Sequence, residues 1–168
     1  MNRWLRMLRH GWFDAGDARR FLDAEALDRL GERVRHSESG HGGEIRICIE
    51  GRLPLSYLWR GARARERAIM MFGKLRVWDT EANNGVLIYL LLAEHAIEIV
   101  CDRAIARAVP QAQWDALAAR LGAALKQGRV EPGLAEAIDA VDTLLRTHFA
   151  GSAGGMRDNE LPDRPLQC

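Results

Sequence analysis

Trp78-Asp79-Thr80-Glu81-Ala82-Asn83-Asn84-Gly85-Val86-Leu87-Ile88-Tyr89-Leu90-Leu91-Leu92, then Ala93-Glu94, then His95-Ala96-Ile97-Glu98-Ile99-Val100-Cys101-Asp102, is the stretch that decides the fold. Its first part is polar and rich in side-chain oxygens. The run Val86 to Leu92 is apolar at all seven positions, as expected of a central strand covered on both faces. Ala93-Glu94 reads as a two-residue hairpin loop, although it lacks the glycine or asparagine that such turns favour. Behind it, Ala96, Glu98 and Val100 alternate with His95, Ile97, Ile99 and Cys101, which predicts a returning strand.

Upstream, Glu44 to Glu50 alternates strictly, with Ile45, Ile47 and Ile49 facing one way and Glu44, Arg46, Cys48 and Glu50 the other. A helix is predicted from about Ala24 to His36, with Asp23 as its N-cap and Leu27, Leu30 and Val34 as its buried stripe. The glycines of Ser37-Glu38-Ser39-Gly40-His41-Gly42-Gly43 end it. A second helix is expected over roughly Arg60 to Val77, with Ala64, Ala68, Met71, Phe72 and Leu75 inward and an arginine-rich outer face. Two more follow Pro110 and Pro132. They carry the apolar sets Trp114, Leu117, Ala118, Leu121, Leu125 and Leu134, Ile138, Val141, Leu145, Phe149. This alternation predicts a sheet with helices on both faces. The crossover helix makes the strand at Glu44 parallel to that at Val86, and the hairpin makes the sheet mixed.

The chain has 168 residues, 48% hydrophobic and 28% charged, with a formal net charge of +1. That is the composition of one globular domain and gives no reason to expect a nucleic-acid partner. Three cysteines, Cys48, Cys101 and Cys168, form no CxxC pair, which argues against a disulfide framework. No signal-peptide pattern or membrane-spanning run is present, so a cytoplasmic location is expected. The expected organisation is an N-terminal arm over 1–17, one α/β domain over 18–150, and a disordered tail over 151–168. In the arm, Trp4, Leu5, Leu8, Trp12 and Phe13 stand among arginines. It reads either as a helix that contacts a membrane surface or partner, or as an arm packed on the domain itself.

The candidate chemistry lies at strand ends. Asp79 to Gly85 supplies carboxylate, amide and backbone oxygens of the kind that calcium and magnesium prefer. It is not an EF-hand loop, because the glycine falls one residue late and Leu90 stands where the bidentate glutamate would be. Asn84-Gly85 equally serves as a left-handed turn into the strand. On the predicted topology, Glu44 and Asp102 share the sheet edge at which Gly85 begins its strand. Cys101 and Arg107 have the C-x5-R spacing of cysteine phosphatases, but the intervening residues hold no glycine to cradle a phosphate. A buried structural thiol is therefore the better reading of Cys101. Histidines 10, 36, 41, 95 and 148 show no metal-binding spacing, and His36 and His41 are read as solvated. The basic run Arg60 to Arg67 has no interleaved aromatics and reads as a solvated helix face.

Gly42-Gly43-Glu44-Ile45-Arg46-Ile47, a helix, Trp78, Asn83-Asn84-Gly85-Val86-Leu87-Ile88 and the return strand Ile97-Glu98-Ile99 together resemble the TPM domain family, over roughly Asp23 to Ala150. The resemblance implies a three-layer α/β/α sandwich with a small mixed β-sheet flanked by helices. It implies a divalent-cation site, for calcium or magnesium, whose ligand candidates by position are Glu44, Asp79, Asn83, Asn84 and Asp102. It further implies acid phosphatase activity in some members, and in bacterial members an association with a membrane protein of the LemA type. This chain departs from the family pattern after the return strand. Cys101-Asp102-Arg103-Ala104-Ile105 replaces a glycine-rich segment, which weighs against phosphatase activity. With no nucleophile-and-base pair in view, the expected function is a cation-binding and partner-binding accessory module. The alternative is a metal-dependent acid phosphatase acting on phosphate monoesters.

Overall fold

The computed structural model describes residues 3–12, 15–149 and 161–168. The arm's Phe13, residue 150 of the expected domain and residues 151–160 of the expected tail lie outside the described residues. Among the described residues the order is α1 (Arg3–Gly11), α2 (Ala15–Phe21), α3 (Ala24–Glu38), β1 (Glu44–Glu50), α4 (Leu55–Trp59) and α5 (Ala64–Lys74). There follow β2 (Gly85–Leu91), a 3-10 turn (Leu92–Glu94), β3 (Ala96–Cys101), α6 (Arg103–Ala108), α7 (Gln111–Lys126), α8 (Val130–Phe149) and β4 (Leu166–Gln167). The sheet order is β3-β2-β1-β4. β1 runs parallel to β2 and to β4, and β2 runs antiparallel to β3. The mixed sheet and its strand directions are those expected.

Alternation in β1 and β2 divides the core in two. Ile45, Ile47, Ile49, Val86, Ile88 and Leu90 pack under α3, α7 and α8. Cys48, Leu87, Tyr89 and Leu91 pack under α4 and α5 with Leu58, Ala68 and Met71. Every β1 and β2 residue is buried, so this is a three-layer α/β/α arrangement with the sheet in the middle. Gly85 opens β2 because the Val77 carbonyl oxygen passes 2.0 Å from where a Cβ would stand. No larger residue fits that approach.

Several boundaries differ from expectation. The helix predicted over Arg60–Val77 is α5 alone, which starts at Ala64 and stops at Lys74, ahead of Arg76 with φ 56, while the short α4 precedes the predicted span. The hairpin loop is Leu92–His95, since Leu91 pairs with Ala96 and His95 takes the left-handed conformation at φ 49. A left-handed residue supplies what the two-residue reading lacked. The turn into β2 places its positive φ, 52, on Asn83 rather than at Asn84-Gly85. The tail is corrected over its last eight residues: Leu161 and Asp163 are buried, and β4 pairs Leu166 with Cys48 and Gln167 with Ile49. Arg46 also donates to the carbonyls of Pro162 and Arg164, the latter at 2.7 Å. Backbone pairing with β1 orders this segment, without any side-chain periodicity of its own. Among the described residues no helix is long and apolar enough to cross a membrane.

Candidate cation site at the sheet edge

Three segments meet where β1 and β2 begin and β3 ends. Glu44 is in register with Gly85, and its N–H donates to the Asn84 carbonyl at 3.4 Å. Asp102 N–H donates to Gly85 O at 2.9 Å, and Ala104 N–H to Asn83 O at 3.2 Å. Glu44, Asn84 and Asp102 are buried at 8%, 1% and 6% exposure, whereas Asp79 and Asn83 are exposed. The structure thus brings the first three together in the interior and leaves the other two on the rim.

The hydrogen bonds decide what this edge can do. Asn84 Nδ2 donates to Gly42 O, which fixes the amide and turns Oδ1 away. Asn84 Oδ1 is buried and has no hydrogen-bond partner. Asp102 N-caps α6: Oδ1 accepts from Arg103 N–H at 2.6 Å. Its Oδ2 is likewise buried without a partner. An orphaned buried acceptor costs about 1–3 kcal/mol, more for a charged group. Two on one edge leave a cost that an oxygen-preferring cation would remove. Among the described residues no group of three or more His, Cys, Asp or Glu could hold a metal by itself. The donor set here is carboxylate plus amide oxygen, which fits calcium or magnesium rather than zinc.

The glycine loop that supplies Gly42 O is held from below. Gly43 N–H donates to His41 Nδ1 at 3.0 Å, so His41 Nε2 carries the hydrogen and faces Ser37 Oγ at 3.1 Å. Ser37 Oγ then donates to Asp142 Oδ1 at 2.8 Å, and Arg146 Nε to Asp142 Oδ2 at 2.7 Å. Burial lowers the His41 pKa and keeps it neutral. His41 is therefore buried, not solvated as the sequence suggested. Two acids join the edge from segments the sequence reading passed over. Glu38 Oε1 accepts from Ile45 N–H at 2.7 Å. Burial, and then the charge of Glu44, push its carboxyl up to about 9. Buried Asp163 adds to that field and takes an ion pair from Arg35 at 3.0 Å. Glu38 had a signal, since it lies four residues past Val34 in the buried stripe. Asp163 had none.

Among the described residues, the Cys101 thiol at this edge is not poised for nucleophilic attack. Burial drives the Cys101 thiol up to about 12, so it stays protonated at neutral pH. A pocket lined by Leu117, Leu121 and Gly133 lies between α7 and α8 and holds about 20 Å³, room for one water.

A family model, the TPM domain, matches residues 16–144. The chain belongs to the TPM domain family. Its TPM fold is similar to the BA42 protein of the psychrophilic bacterium Bizionia argentinensis, with TM-score 0.76 and 26% identity, covering 88% of this chain and 96% of that one. It is also similar to the N-terminal domain of a P. gingivalis protein, with TM-score 0.62 and 17% identity over 82% and 83% of the two chains. No curated protein matches the sequence.

Proposed function

We propose that this TPM-domain protein is a divalent-cation-binding accessory module that works at a membrane surface. The observation that carries the cation half is the pair of orphaned oxygens, Asn84 Oδ1 and Asp102 Oδ2, on one buried edge. Glu44, Asn84 and Asp102 would hold the ion, with Asp79 and Asn83 contributing from the rim. A bound cation would supply two positive charges where the protein places several acids.

The partner half rests on α1, which docks in an inverted sense. Its polar face turns inward: Arg6 bonds Glu94 Oε1 and Ala62 O, both at 2.6 Å, and His10 bonds Glu94 at 2.8 Å and Leu53 N–H at 3.1 Å. Trp4, Leu5, Leu8 and Trp12 consequently face outward, and Leu55 and Trp59 of the adjoining α4 are exposed beside them. The three tryptophans alone expose roughly 500 Å², near the upper end for the largest patch on a monomer. α1 holds no acid, and Arg52, Arg60 and Arg63 stand exposed nearby. That charge suits an anionic lipid surface. A membrane protein of the LemA type is the partner that the family resemblance nominates there.

Calcium and magnesium titrations followed by thermal midpoint, paired with a phosphate-ester assay, test the cation half. A midpoint rise without turnover supports the module. Hydrolysis that Asp102→Asn abolishes would overturn it in favour of the acid phosphatase alternative, and no response to either ion would remove both. Flotation with anionic phospholipid vesicles tests the membrane half. Binding lost in a Trp4→Ala/Trp12→Ala variant supports it, and a dimer broken by those changes without vesicle binding would make the face a self-association surface.

A further inference from the structure

Cys48 in β1 and Cys168 next to β4 are 120 positions apart in sequence, yet their sulfurs stand 3.9 Å from each other. Backbone bonds hold the approach on both sides: Cys168 N–H donates to Ile49 O, and Gly51 N–H to Cys168 O, each at 2.9 Å. Cys48 is in register with Leu166, and Cys168 lies two residues further along. The alternation of strands therefore puts both thiols on the same sheet face. Cys48 is fully buried, Cys168 is exposed, and Cys101 stands apart as a third, half-buried thiol. The odd number of cysteines, with no CxxC pair among them, argues against a disulfide framework. The fold makes two of them neighbours.

We propose that Cys48 and Cys168 form a peroxide-driven reversible disulfide that clamps β4 to β1. Cys168 is the attacking thiol, because it is the one solvent reaches. The hydrogen bond from Cys48 lowers its pKa, and Arg67 and Lys74 act in the same direction. The same contact, followed by burial, raises that of Cys48, which keeps it the protonated partner that donates to Cys168. In the first step the Cys168 thiolate attacks hydrogen peroxide. An S–O bond forms, the O–O bond breaks, and the departing hydroxide becomes water by taking a proton, leaving a sulfenic acid. In the second step Cys48 sulfur attacks Cys168 sulfur. The S–S bond forms, the S–O bond breaks, and the hydroxyl leaves as water with the Cys48 proton. The balance is two thiols and one peroxide giving one disulfide and two waters. A disulfide needs about 2.05 Å between sulfurs, so they must close by roughly 2 Å, and because Cys168 lies diagonal to Cys48 rather than opposite it, the Cys168 backbone must shift along with its side chain.

The clamp would act on a short attachment. β4 pairs with β1 at two residues only, yet its segment carries Asp163 to Glu38 and takes both Arg46 bonds. Cross-linking would hold that segment through fluctuations that otherwise release it.

Treatment of the 168-residue chain with hydrogen peroxide, alkylation of remaining thiols and peptide mapping by mass spectrometry tests this directly. The expected result is a monomer that has lost two hydrogens, a Cys48–Cys168 cross-linked peptide, and one alkylated thiol at Cys101. Cys101→Ser should leave the cross-link intact, and Cys168→Ser should remove both the cross-link and a rise in thermal midpoint on oxidation. Three alkylatable thiols after treatment, or a disulfide between two chains through Cys168, would overturn the proposal.

Discussion

β1 begins and ends with a buried glutamate, and its two ends are finished differently. At the far end Glu50 receives Arg67 in a two-pronged ion pair, with Nε 2.8 Å from Oε2, and the Tyr89 hydroxyl donates at 2.5 Å. Burial and the Glu50 charge hold the Tyr89 phenol protonated, its pKa well above the usual value. At the near end Glu44 stands with Asn84 and Asp102, two of whose oxygens have no donor. The fold closes Glu50 with its own side chains, and at the other end of β1 it leaves Asn84 Oδ1 and Asp102 Oδ2 without a donor. An ordinary structural carboxylate resembles the Glu50 end. Under the proposed function, a bound cation would meet the two orphaned oxygens of Asn84 and Asp102 at the other end.

The largest expected effect breaks the closed end. Arg67→Met leaves Glu50 as an uncompensated buried charge and should cost about 3–5 kcal/mol in urea unfolding. Adding Glu50→Gln should recover most of that loss. The cation should produce the next largest effect at the open end. At a hundredfold excess over Kd it should stabilise the protein by about 2.7 kcal/mol, roughly 5–10 °C in thermal midpoint. Asp102→Asn keeps an acceptor for the α6 cap but removes the charge. It should leave the cation-free protein as stable or more so, while abolishing the cation's stabilisation.

The pH response sharpens the same contrast. Glu38 has its folded pKa raised to about 9, so it contributes stability that is full below the unfolded carboxylate value and is lost as pH rises towards 9. Unfolding measured between pH 5 and 9 should show stability falling, and Glu38→Gln should flatten the fall. A bound cation should flatten it too, because it offsets the Glu44 charge that helps raise Glu38. The smallest effect belongs to the rim. Asp79→Ala should shift stability by no more than about 0.5 kcal/mol and weaken cation affinity less than Asp102→Asn does.

The strict alternation of Ile45, Ile47 and Ile49 and the unbroken run Val86 to Leu91 made the sheet readable, because side-chain period follows directly from strand geometry. That topology was enough to put Glu44, Gly85 and Asp102 on one edge. The orphaning of Asn84 Oδ1 was not readable, since it depends on Gly42 O taking the amide nitrogen across 42 positions. β4 leaves no pattern in the sequence because it is held through backbone groups and one buried arginine. Arg67 was assigned to a solvated arginine face and is instead buried on Glu50, although its place one turn from Ala64 and Met71 matched the buried stripe. The α6 helix was hidden in the same way, since Arg103 and Arg107 flank its one fully buried residue, Ile105.

Isothermal titration of calcium and magnesium into the protein, run beside the Asp102→Asn and Glu44→Gln variants, tests the central contrast most directly. The account predicts one saturable site in the parent chain that either substitution removes, with both variants still folded. Absence of binding in the parent, or binding that survives both substitutions, would contradict it.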